Sequence, residues 1–154
     1  KAECRAELPG LVHDTSSSGA TIFVEPMGVV QANNELKELE AKETELQAKI
    51  QEIMNTLRDQ APQEIGAYKV TAIRDYKKDT VTDLATGRVT PTGLPASNVL
   101  YYEMTDGAWV CVRPSGTEPK VKFYLGVKGT SLADADQKSA DLSKAVHAMI
   151  DKML

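Results

Sequence analysis

VLYYEMTDGAWVCVRPSGTEPKVKFYLGV, residues 99–127, decides how this chain is read. Residues 99–104 and 108–112 are apolar and aromatic runs on either side of Asp106-Gly107. Asp-Gly accepts positive φ at both positions, so it closes a two-residue hairpin whose twist matches the strands. A third run, 120–127, follows the polar stretch 113–119 and predicts another strand. Three strands in succession with short connections make an antiparallel sheet.

Outward from there the pattern continues. Residues 68–76 (YKVTAIRDY) are strand-like, and 81–89 surround a turn at Ala85-Thr86-Gly87. Residues 91–95 (PTGLP) read as a loop. Downstream, Ser131 is an N-cap with Asp134 three residues on. Leu132, Ala135, Leu142, Val146, Met149, Ile150 and Met153 give the last helix an apolar face.

Upstream, residues 2–8 are predicted as a strand. Residues 11–14 and 21–24 flank the Ser/Gly turn 15–19 and predict a hairpin, ended by Pro26. From 29 to 59 the period becomes helical. Leu36, Leu39, Glu43, Leu46, Ile50, Ile53 and Leu57 alternate spacings of three and four, a heptad seam with one charged intruder. A rod of about 45 Å results, stopped by Ala61-Pro62. The fold class is α+β: a small, mostly antiparallel sheet with a C-terminal helix, preceded by a β-hairpin and one long heptad-patterned helix.

Composition narrows the function. The chain has 154 residues, 42% apolar and 26% charged, with a net charge of −4. That balance excludes a general basic footprint for nucleic acid. At 5% aromatic residues the chain is lean for a stacking surface. No apolar run approaches the roughly 20 residues that span a bilayer, and the opening Lys1-Ala2-Glu3-Cys4 predicts no signal peptide. Cys4 and Cys111 stand far apart without neighbouring ligands, which predicts free thiols and a cytoplasmic protein. Residues 1–60 carry 6 basic and 11 acidic side chains, whereas residues 61–154 carry 12 and 11. Five of the seven prolines lie beyond residue 60. The shift predicts two structural units meeting inside a helix. His13 and His147 lack partners at ligand spacing and read as structural or solvated. Trp109 alternates with Val110 and Val112 and reads as packing. Cys111 reads as a small buried hydrophobe.

The sharpest chemical motif is Arg113-Pro114-Ser115-Gly116-Thr117-Glu118-Pro119-Lys120, between two predicted strands. Arg113 supplies a planar, permanently charged donor fork. Ser115 and Thr117 supply hydroxyls, and Gly116 lets backbone approach a ligand. Amides in such a turn can form an anion nest. Lys122 shares a strand face with Lys120 by the period of two. The loop is either a phosphate site or a solvated turn held by two prolines.

The motif RPSGTEPKVKFY resembles the signature loop in the C-terminal domain of the α-D-phosphohexomutases. Residues 87–129 (GRVTPTGLPASNVLYYEMTDGAWVCVRPSGTEPKVKFYLGVKG) look most like the bacterial phosphoglucomutase branch, and residues 51–154 follow that domain in order. The resemblance implies that Arg113, Ser115, Gly116 and Thr117 grip substrate phosphate, that Lys122 supports them, and that Glu118 and Pro119 shape the loop. The family's chemistry uses a phosphoserine, an Asp-x-Asp-x-Asp loop for Mg²⁺ and a sugar-reading domain. None of the three is expected in this sequence: Asp134-Ala135-Asp136 lacks the third aspartate, which would fall at Lys138. The expectation is a phosphosugar-binding part of an intramolecular phosphotransferase, inactive in this form, with no catalytic residue, metal ligand or cofactor of its own.

Residues 10–43 (GLVHDTSSSGATIFVEPMGVVQANNELKELEAKE) resemble a different family, the second bacterial MutS family, over about residues 1–50. There a hairpin leads into a long lever helix. That family's ATPase has no counterpart, because no Gly-x-x-x-x-Gly-Lys-Ser/Thr loop occurs. The expected domains are 1–50, the MutS-like segment, and 51–154, the mutase-like segment, joined in phase within one helix as in a chimera. The alternative function is a structural or interaction fusion. Expected partners are phosphate or a phosphosugar, weakly held, with no nucleic acid and no membrane. Self-association through Leu36, Leu39, Leu46, Ile50, Ile53 and Leu57 is also expected. A parallel pairing would set Glu35 against Glu40, whereas an antiparallel one brings Glu35 near Lys49.

Overall fold

A computed structural model describes residues 1–153. It holds two compact units, Lys1–Glu45 and Leu46–Leu154, joined through one helix.

In the first unit, β1 (Gly10–Thr15) and β2 (Ile22–Pro26) pair antiparallel, with a bulge between Val12 and Asp14. His13 Nε2 meets Glu25 Oε2 at 2.8 Å across the hairpin. Helix α1 (Met27–Asp59) starts directly after Pro26. The stretch expected as a strand at 2–8 is instead a 3-10 helix, Ala2–Glu7. Its polar, charged composition offers no apolar face to bury in a sheet. Among the described residues none before Ile50 is buried.

The second unit contains the core. Among the described residues its sheet has seven strands, all paired antiparallel: β3 (Glu64–Ile65), β4 (Tyr68–Asp75), β5 (Thr80–Asp83), β6 (Val89–Thr90), β7 (Leu100–Met104), β8 (Trp109–Pro114) and β9 (Val121–Gly126). The order is β6-β5-β4-β7-β8-β9, with β3 on β4. Helix α2 (Leu132–Asp151) follows. At the β7–β8 corner Asp106 and Gly107 have φ of 58° and 69°, the conformation Asp-Gly favours.

Alternation on the strands explains the core. Leu100, Tyr102 and Met104 on β7 and Val110 and Val112 on β8 are buried on one face. Ile53, Met54 and Leu57 of α1 and Leu142 and Val146 of α2 join them. The seam of α1 therefore divides. Ile50, Ile53 and Leu57 are buried, while Leu36, Leu39 and Leu46 are exposed. Leu132, assigned to the apolar face of α2, stands in solvent because it lies at the first position of the helix, ahead of the turns that pack. Ser131 does cap the helix, accepting from the Asp134 amide at 3.2 Å.

A buried polar set fixes α1 to the sheet. Arg58 Nε donates to Asp75 Oδ2 at 2.8 Å with both side chains almost fully buried. Arg58 Nη2 also reaches Asn98 Oδ1 at 2.9 Å. The Asp75 carboxylate accepts the Lys77 amide at 3.0 Å. Tyr102 donates its hydroxyl to the Leu57 carbonyl at 3.0 Å, near the C-terminal end of α1, where carbonyls lack helical partners. Burial pushes the Tyr102 phenol well above its ordinary range.

Candidate phosphate-binding loop

Strands β8 and β9 converge on the loop 115–120. Arg113 and Lys122 are direct cross-strand partners, so both side chains project from the same face, opposite the helices. Like charges in that position repel. Among the described residues neither is in an ion pair. Arg113 Nε makes one long bond, 3.4 Å, to the adjacent Pro114 carbonyl, which leaves the rest of the guanidinium fork unused.

The loop backbone is half committed. The Ser115 amide donates to the Lys120 carbonyl at 2.8 Å, and the Lys120 amide to the Glu118 carbonyl at 2.8 Å. Between them the amides of Gly116, Thr117 and Glu118 have no acceptor among the described residues. Three successive unused donors in a bend are the elements of an anion nest. Ser115 Oγ is shielded from solvent and has no hydrogen-bond partner among the described residues. A buried hydroxyl without a partner costs about 1–3 kcal/mol. At Gly116 an added Cβ would meet nothing within 4 Å, so the space above this residue is open.

Lys120 is occupied: its Nζ lies 2.6 Å from Glu118 Oε2. That bond holds the Glu118 carboxyl below its usual range, and the charge of Lys122 adds to the effect. Arg113 and Lys122 therefore stand outside any ion pair among the described residues, while Lys120 and Glu118 offset each other. Behind the loop, Pro119, Val121 and Phe123 line an apolar groove of about 330 Å³ with Ile53, Val146 and Ile150. Packing on this side fixes the loop's root.

The open face beyond the loop holds Tyr101, Trp109, Cys111 and Tyr124. Tyr101 and Trp109 stack at 5.4 Å between centroids, and a Cβ on Gly126 would fall inside the Trp109 indole. Trp109 is thus a packing residue, as its alternation implies. Cys111 is half-buried rather than enclosed, because its face of the sheet carries no helix; burial still pushes its thiol upward. Both cysteines are free thiols.

The residues do not fit Mg²⁺. Among the described residues no group of three His, Cys, Asp or Glu could hold a metal. Asp134 is engaged by Lys138 Nζ at 2.9 Å and the Thr130 amide at 2.8 Å. His147 Nδ1 faces its own helix at the Ser143 carbonyl, 2.7 Å away. Among the described residues no helix is long and apolar enough to cross a membrane.

Sequence reading selected the five site residues as a cluster. It missed that Arg113 and Lys122 stand opposite one another, neither in an ion pair among the described residues, and that Lys120 is paired with Glu118. Pairing by register carries the first signal, but the register emerges only once the hairpin is built.

Comparison with known proteins separates two parts. A phosphoglucomutase from Staphylococcus epidermidis is 39% identical over 84 residues, 54% of this chain and 15% of that protein. An endonuclease MutS2 from Acetivibrio thermocellus is 58% identical over 57 residues, 37% of this chain and 7% of that protein. One from Alkaliphilus metalliredigens is 70% identical over 43 residues, 28% of this chain and 5% of that protein. The chain spans less than a fifth of the length of these relatives. The two kinds of relative match separate segments, the pattern of a chimera. No solved structure matches. The family model described as phosphoglucomutase/phosphomannomutase, C-terminal domain, matches residues 30–141, most of the chain and all of the loop. With β8, β9 and the loop between them inside that span, the chain belongs to the phosphoglucomutase/phosphomannomutase C-terminal domain family.

Proposed function

We propose that residues 51–154 are the phosphate-gripping domain of a hexose-phosphate mutase, and that residues 1–50 are a non-catalytic MutS-like segment fused to it. The observation that carries the reading is the pair Arg113 and Lys122, opposed across β8 and β9 with no ion pair among the described residues, beside three unused loop amides. A phosphate dianion would neutralise the pair, take the amides, and offer Ser115 a partner after a rotation of its side chain.

Grip without turnover is the proposed role. Phosphoryl transfer needs a group that receives the phosphoryl and charges that offset it in the transition state. This loop supplies part of the second and none of the first. The chain should therefore give no interconversion of glucose 1-phosphate and glucose 6-phosphate with Mg²⁺ and the bisphosphate activator present. Turnover above blank that survives repurification would overturn the inactive assignment.

Affinity should be low. Three charge-assisted bonds contribute roughly 1.5–3 kcal/mol each. Lost rigid-body freedom takes back at least about 4 kcal/mol. What remains corresponds to about millimolar dissociation or weaker. An NMR titration with inorganic phosphate tests the site. Shifts of the Gly116, Thr117 and Glu118 amides that saturate at tens of millimolar and weaken with salt are expected. Unmoved amides would refute the phosphate site.

The second reading, an interaction fusion, rests on the exposed apolar residues of α1. It is compatible with a phosphate-binding loop.

A further inference from the structure

The first half of α1 is amphipathic without a partner. Leu36 and Leu39 are 54% and 62% exposed on one face. Among the described residues of the first unit nothing is buried. Adjacent exposed leucines on a regular heptad are the usual sign of a helix-pairing surface.

Charge selects the occupant and its direction. In heptad terms Leu36 and Glu43 are a positions, Ala32 and Leu39 are d, Glu35 and Lys42 are g, and Asn33 and Glu40 are e. Parallel pairing of two copies sets Glu43 on Glu43 in the core and Glu35 against Glu40 at the flank, both repulsive. Antiparallel pairing has three candidate registers one heptad apart. The one that brings Glu35 to Lys49 also stacks Lys42 on its own copy. The opposite shift stacks Glu35 on its own copy. The central register does neither.

We infer that a second copy of this chain covers this face of α1, antiparallel, with Leu36 packed on Leu39 of the second copy, Ala32 opposite Glu43, and Glu35 facing Lys42 at both flanks. In this register Glu43 faces the smallest core side chain available, so its carboxylate can extend past it to water. The two Glu35–Lys42 contacts follow from the two-fold symmetry. The inference does not depend on phosphate binding.

Sedimentation equilibrium with the whole chain tests it. A concentration-dependent dimer is expected, lost in Leu39→Lys. Glu35→Lys alone should weaken dimerisation about tenfold at low salt, since two attractive contacts become repulsive. Glu35→Lys with Lys42→Glu should restore it. Direction is read separately by spin labels at Gln31 or Glu38 in a Cys4→Ser, Cys111→Ala background. Both are c positions, so a parallel dimer gives equal distances. The antiparallel register adds an axial offset of about 20 Å at Gln31 and almost none at Glu38. A monomer at all concentrations, a dimer that survives Leu39→Lys, a failed charge reversal, or equal label distances would each overturn the assignment.

Discussion

Arg113 and Lys122 face each other across β8 and β9 as like charges, and in the proposed site they would attract the same anion. That opposition separates binding from stability. Arg113→Ala should leave unfolding free energy within about 0.5 kcal/mol of the parent, yet weaken phosphate binding tenfold or more, the loss of a charged hydrogen bond of roughly 1.5–3 kcal/mol. Arg113→Lys should not restore binding, because a point charge lacks the planar fork. Gly116→Ala offers a second separation. Its Cβ meets no atom of the chain, so the melting temperature should hold while the methyl obstructs phosphate. Thermal melts beside amide titrations of the three variants check both statements. Parallel loss of stability and binding would mean that the loop is structural.

Single elements are anchored by polar contacts at their ends. The last turns of α1 depend on Arg58, whose partner Asp75 is buried. Arg58→Ala leaves that carboxylate uncompensated and should cost about 3–5 kcal/mol, read as a lower denaturant midpoint at unchanged slope. Helix α2 depends on Asp134 at its start. Lys138 chiefly, and then the Thr130 amide, hold the Asp134 carboxyl below its ordinary value. A carboxyl lowered on folding stabilises the folded state at pH above its unfolded value. That contribution fades as pH falls through the lowered folded value. The first-turn amides of α2 should therefore lose protection in acid, measured as exchange relative to the unstructured chain at the same pH, and Asp134→Asn should remove that acid-dependent loss. A protection factor that does not change with pH in the parent would refute the link.

For the whole molecule, stability is divided between the units. The second has a contiguous core that includes Leu57, Leu100, Tyr102, Val110 and Leu142. The first has a two-stranded hairpin and exposed apolar side chains, and isolated hairpins are marginal in water. Hydrogen exchange should find the slowest amides in β4, β7 and β8, and fast exchange in β1 and β2. Exchange along residues 32–43 of α1 should slow as protein concentration rises, because the proposed dimer would cover that face. Uniform protection across both units at low concentration would contradict this division.

Much of this was legible in the residues. Asp106-Gly107 between two apolar runs determined the β7–β8 hairpin, because the dipeptide takes positive φ locally. Ser131 and Asp134 determined the start of α2, since a cap forms within four residues. The heptad period determined α1, and the run from Arg113 to Lys122 located the loop. Other features needed the fold. Heptad spacing alone could not divide the seam at Ile50, because the same leucine and isoleucine pattern suits a second copy or a sheet; the buried face of β7 and β8 decides. Nor did residues 2–8 form the strand expected of them, where weak local preferences compete and no partner strand is specified. Tertiary structure alone brings Arg58 to Asp75, 17 residues away, and sets Arg113 opposite Lys122. Strand register fixes that pairing, and register follows from burying one whole face of the sheet at once.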